Sequence, residues 1–172
     1  GDVYKRQIHG LIASLLSSIV KGSSVVCTSG FNALTFYGNI KNFKPTWITA
    51  VPTMYQAILS RASRNKEIIQ ASSLRLLRSS SAAMPVATIE ALENAFHCPV
   101  IEAYGMTEAS HQMASNNLDS VRKPGSVGKS AGPEIALFRD NKLITVANTV
   151  GEIVIRGSNV TKGYKNNDKA NR

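Results

Sequence analysis

Short β-branched and apolar runs alternate with helix-length amphipathic segments from Ile8 to about residue 122, and this alternation constrains the fold more than any other feature. Residues 24–28, 46–50, 74–80 and 99–102 read as short buried strands. Between them lie helix signals. Residues 11–20 form an apolar run that stops at Lys21-Gly22. Residues 32–39 begin with Asn32, a capping residue type. Pro52 opens a helix to residue 61 with Met54, Ile58 and Leu59 on one face. Residues 65–71 read as a short helix or loop. Pro85 then sets the first turn of a helix carrying Val86, Ile89, Leu92 and Phe96 at helical spacing. Strands separated by helices imply crossover connections and a largely parallel sheet.

The pattern changes near Pro124. Glycine becomes frequent, the helix signals end, and residues 134–139, 143–146 and 152–156 read as strands, with Asp140-Asn141 as a hairpin turn. The expected organisation is therefore an α/β subdomain over 8–122 followed by the start of a β-rich subdomain over 123–172. Residues 1–7 match no signal peptide and resemble a translated adapter sequence more than native protein.

Composition narrows the function classes. Hydrophobic content is 43% and charged content 18%, which is globular rather than disordered. No apolar run is long enough to span a membrane. The net charge of +9 favours anionic partners such as a nucleotide or CoA. Nucleic acid is not expected, because the basic residues are scattered and lack aromatic interleaving. The densest basic patch, Leu74-Arg75-Leu76-Leu77-Arg78, reads as a strand with its flanks. Cys27 and Cys98 have neither disulfide nor metal spacing and read as small core residues. Free thiols suit a reducing compartment.

Three stretches could carry chemistry. Tyr104-Gly105-Met106-Thr107-Glu108 follows a short strand, the place where open α/β sheets bind ligands. Tyr104 offers a flat face to a base, Gly105 close backbone approach, Thr107 a hydroxyl for phosphate, and Glu108 a hard oxygen for Mg²⁺. From the residues alone, a turn with a helix cap at Thr107 fits as well. Ser79-Ser80-Ser81-Ala82-Ala83-Met84-Pro85 supplies small residues against which a flat ligand can lie, at a helix N-terminus. Gly151-Glu152-Ile153-Val154-Ile155-Arg156-Gly157 is an amphipathic strand between glycine turns.

Together with His9-Gly10, Val51-Pro52-Thr53-Met54-Tyr55 and Gly125-Ser126-Val127-Gly128, these stretches resemble, in order, the adenylate-forming superfamily of acyl-CoA synthetases. The resemblance implies part of the N-terminal domain of an acid–thiol ligase that uses MgATP and then CoA. It assigns Tyr104, Gly105 and Met106 with Ser81, Ala82 and Ala83 to the adenine pocket, Thr107 to the α-phosphate and Glu108 to Mg²⁺. It sets His9 beside the carboxylate being activated, where capping or packing is the alternative. The run Glu108-Ala109-Ser110-His111-Gln112-Met113 resembles the oxalate–CoA ligases of plants and fungi. It implies that Ser110 and His111, with His9, hold a small dicarboxylate, the alternative for His111 being a structural role.

The family's phosphate loop, ribose-binding aspartate, hinge and catalytic lysine are not among these residues, and the surroundings of Asp168 do not match that aspartate. The 172-residue chain alone is therefore expected to be inactive. Two other readings compete: a medium-chain fatty acid or 4-coumarate-type CoA ligase, and a non-catalytic binding module. The resemblance suits cytoplasm or peroxisome and leaves the oligomeric state open.

Overall fold

The computed structural model describes residues 8–171, so the adapter-like segment at 1–7 lies outside the described residues. Its main sheet has five strands in spatial order β1-β2-β3-β4-β5. These are β1 (Trp47–Ala50), β2 (Leu76–Ser79), β3 (Val100–Met106), β4 (His111–Ser115) and β5 (Lys129–Ser130). The first three are parallel, in register Thr49↔Arg78 and Arg78↔Ile101. The last two are added antiparallel. A second, antiparallel sheet orders β7 (Lys142–Ile144), β6 (Glu134–Arg139) and β8 (Glu152–Arg156). Its tight turn falls on Asp140 and Asn141, both left-handed at φ 51° and 61°, as the residue types require.

The helices are α2 (Phe36–Phe43), α3 (Pro52–Leu59), α4 (Lys66–Gln70) and α5 (Val86–Phe96), preceded by a π-helix (His9–Leu16) that runs into α1 (Ser17–Val20). Pro52 opens α3 at a position whose N–H has no helical partner. Tyr37, Tyr55, Ile58, Leu77, Ile89, Leu92 and Phe96 share one core cluster. Tyr55, fully buried, donates its hydroxyl to the carbonyls of Ile48 (3.0 Å) and Arg78 (2.9 Å), pinning α3 across β1 and β2. Burial pushes its pKa up.

Several local expectations are corrected. Residues 24–28 form no strand, and Cys27 is exposed while Cys98 is buried. An apolar run alone does not make a strand; it needs a partner, and β1 is not paired on that side. Asn32 caps no helix. Its Oδ1 accepts from the Leu34 N–H at 2.8 Å, closing a local turn, and α2 starts at Phe36. The first helix is π-helical at its start rather than α, and it is not fully buried: Leu16 and Ile19 are exposed. The Ser17 and Ser18 hydroxyls bond back to the Ala13 and Ser14 carbonyls at 2.6 Å each, in competition with the regular ladder.

Candidate active site

The strand expected to end at 102 continues through Met106, so Tyr104, Gly105 and Met106 lie in β3 and the run that follows is the tip of a β3–β4 hairpin. Thr107–Ala109 forms a 3-10 turn, and Ser110 and His111 both take positive φ, 52° and 95°. The register slips between Tyr104 and Gly105. A Cβ on Gly105 would stand 1.6 Å from the His111 carbonyl oxygen, so this bulge itself requires glycine. The strand β4 was not legible beforehand. Its sequence, His-Gln-Met-Ala-Ser, carries no β-branched residue.

At the tip, Thr107 is exposed and Glu108 half-buried. A strap after β8 crosses this turn. The Thr161 N–H donates to the Glu108 carbonyl at 2.8 Å, and the Ser110 hydroxyl donates to the Asn159 carbonyl at 2.8 Å. The Tyr164 hydroxyl donates to the Glu108 carboxylate, which holds that carboxyl below its usual range and raises the tyrosine. No cluster of three metal-ligating side chains occurs among the described residues. A single ionised carboxylate suits Mg²⁺, which takes one or two protein carboxylates and draws its other ligands from phosphates and water. Ala82 and Ala83 are exposed in the loop after β2, and Ser81 there is left-handed at φ 76°.

Below the tip the side chains are buried and knitted together. His9, in the π-helix, is 7% exposed, with Nδ1 3.0 Å from Ser81 Oγ and Nε2 2.6 Å from Thr49 Oγ1. Its ring stacks on that of His111 at 5.9 Å between centroids. Thus His9, Ser81 and His111, three of the residues singled out in the sequence, do converge.

The residue missed in the sequence is Arg78. It reads there as one of many scattered cations, yet it is 6% exposed on β2. Its guanidinium donates to Thr49 Oγ1 (3.3 Å), His111 Nε2 (3.0 Å) and Gln112 Oε1 (3.2 Å). The available signal was its place at the carboxyl end of a strand, just before a loop of small residues. Because His111 Nε2 accepts, that ring is neutral with its proton on Nδ1, a buried atom with no partner among the described residues. Both histidines are held down to about 4: His9 by burial, then by Arg78 and His111, and His111 by burial and Arg78.

A pocket of about 330 Å³ opens here, walled by Trp47, Arg78, Ser110, His111, Gln112 and the π-helix. A larger cleft of about 670 Å³ lies between the segment around Val25 and helices α2 and α3, with Lys44 as its single charged residue. None of His9, Arg78 and His111 lines it.

The model of the AMP-binding enzyme family matches residues 7–165. The chain belongs to this family. It is 47% identical over 169 residues to the oxalate–CoA ligase of Arabidopsis thaliana, covering 96% of this chain and 33% of that one. It is 43% identical over 166 residues to the oxalate–CoA ligase of Saccharomyces cerevisiae, covering 96% and 30%. Among solved structures, the o-succinylbenzoate CoA synthetase of Bacillus subtilis in complex with ATP and magnesium superposes with a TM-score of 0.79 at 32% identity, covering 95% of this chain and 33% of that one. The chain therefore spans about a third of the length of the curated relatives it matches. It has the fold of the adenylate-forming N-terminal domain, with three parallel strands at the centre of its main sheet. No described helix is long and apolar enough to cross a membrane.

Proposed function

We propose that this chain is part of an AMP-forming carboxylate–CoA ligase whose acid is oxalate, working in the cytoplasm or peroxisome. In the first half-reaction a carboxylate oxygen attacks the α-phosphorus of ATP and pyrophosphate leaves. In the second, the CoA thiol attacks the acyl carbon and AMP leaves. Tyr104, Gly105 and Met106 with Ser81, Ala82 and Ala83 receive the adenine, and Thr107 donates to the α-phosphate. Glu108 holds Mg²⁺, which when bound offsets phosphate charge. The Tyr164 hydroxyl donates to that carboxylate and lowers its pKa further. His9, Ser110 and His111 border the acid.

The observation that carries the oxalate reading is the pocket walled by Arg78, Ser110, His111 and Gln112, with His9 stacked behind His111. Its wall carries the Arg78 cation and the hydrogen-bonding side chains of Ser110, His111 and Gln112, where a fatty acid needs an uninterrupted apolar slot. The rival, a medium-chain or 4-coumarate-type acid, would draw on the larger cleft of about 670 Å³ instead.

The test is to incubate the complete ligase containing this chain with ATP, CoA and a panel of acids, and to follow AMP release. Oxalate is expected to be the preferred acid. Turnover of hexanoate or 4-coumarate without oxalate turnover would refute the reading. Absence of AMP release with every acid would favour a non-catalytic module.

A further inference from the structure

Arg78 has no anionic partner among the described residues. The ion pairs among the described residues join Arg122 to Glu93, Arg139 to Asp140 and Arg156 to Glu134. Arg78 instead holds three neutral acceptors, Thr49, His111 and Gln112. Those three bonds use three of the five guanidinium N–H groups, leaving two to spare. The two nearby imidazoles add no charge at neutral pH. A buried cation with neutral partners is costly unless an anion completes it. The pocket it walls, about 330 Å³, also includes His111, whose Nδ1 has no partner among the described residues.

We propose that Arg78 is the specificity-determining residue of this pocket, pairing with the second carboxylate of a short diacid while the first is presented to ATP. This rests on the oxalate reading and deepens it. His111 and Gln112 are then positioning residues. They hold the Arg78 guanidinium at the pocket wall through both Nη2 N–H groups, which leaves Nε–H and one Nη1–H to donate to a carboxylate. A monocarboxylic acid of the same size would enter the pocket and leave the cation unpaired, so selectivity would come from charge rather than from volume. Sulfonates and phosphonates with one carboxylate share that chemistry and are expected to compete more strongly than neutral analogues.

The experiment compares wild type with Arg78→Gln in the complete ligase, using oxalate, its distal amide oxamate, and glycolate. Glutamine keeps donors for the neighbouring acceptors but removes the charge. The KM for oxalate is expected to rise about 30-fold or more, with KM for oxamate, glycolate and ATP changed less than about threefold. If R78Q does not fold, Arg78→Lys carries the test. A lysine keeps the charge but lacks the planar guanidinium that His111 and Gln112 position, so KM for oxalate is expected to rise about tenfold while that for oxamate stays put. A wild-type enzyme active on oxalate whose variant loses nothing, or loses oxalate and oxamate equally, overturns the Arg78 inference alone. A wild-type enzyme that ignores oxalate overturns the oxalate reading and this inference with it.

Discussion

The hairpin tip and the pocket beneath it are built in opposite ways. Tyr104 to Glu108 is one continuous, half-buried stretch that ends in a turn with Thr107 exposed. The pocket draws His9 from the π-helix, Thr49 from β1, Arg78 from β2 and His111 with Gln112 from β4, all tied by side-chain hydrogen bonds. The first arrangement suits a ligand common to many relatives, since it depends on backbone shape and a few groups. The second suits discrimination, since each member is held by another and one change disturbs several.

The largest effect is expected where the two regions share backbone. Gly105→Ala puts a methyl 1.6 Å from the His111 carbonyl, which requires the β3–β4 bulge to open. A loss of more than about 3 kcal/mol is expected, read as a large drop in Tm or failure to obtain soluble protein. A Tm within a few degrees of wild type would show that tip and pocket are not coupled through this bulge.

Next in size, His111→Ala removes the Arg78 acceptor at 3.0 Å and the stacking partner of His9. KM for oxalate in the complete ligase should rise about tenfold and KM for ATP should not change. An unchanged affinity for oxalate would end the assignment of His111 to the acid.

A pH series separates the regions again. Both histidines have folded pKa values near 4 against 6.5 unfolded. Between those values the unfolded chain binds more protons, so the stability they contribute is full above about pH 6.5 and is lost as pH falls toward 4. The urea midpoint of the complete protein should fall over that window, and fall less in His9→Asn/His111→Asn. An equal slope in both would contradict neutral, buried imidazoles.

The smallest effect is expected at the tip. Tyr164→Phe removes a donor from Glu108, but the tyrosine is exposed and the carboxylate only half-buried, so the change in Mg²⁺ dependence should stay within about threefold. A tenfold change would make Tyr164 part of the site proper.

The same contrast explains what could be read from the sequence. The parallel strands, α3, α5 and the β6–β7 turn were legible because proline, helical spacing and the Asp140-Asn141 pair act locally. The stretch Tyr104 to Glu108 could be singled out because it is contiguous. Arg78 was not, because burial of a cation is a tertiary fact: nothing in Leu76-Leu77-Arg78 says that Thr49, His111 and Gln112 will surround it. β4 escaped because its strand character comes from pairing with β3 rather than from its own residues. Residues 24–28 misled in the other direction, having strand composition but no partner.

The most direct test of a buried, charge-reading pocket under a common nucleotide tip is acid-dependent ATP–pyrophosphate exchange by the complete ligase, without CoA. Exchange is expected to be at least about 100-fold more efficient with oxalate than with glycolate or hexanoate, as pairing of a buried charge implies. Equal efficiency with glycolate, or a preference for hexanoate, would contradict it.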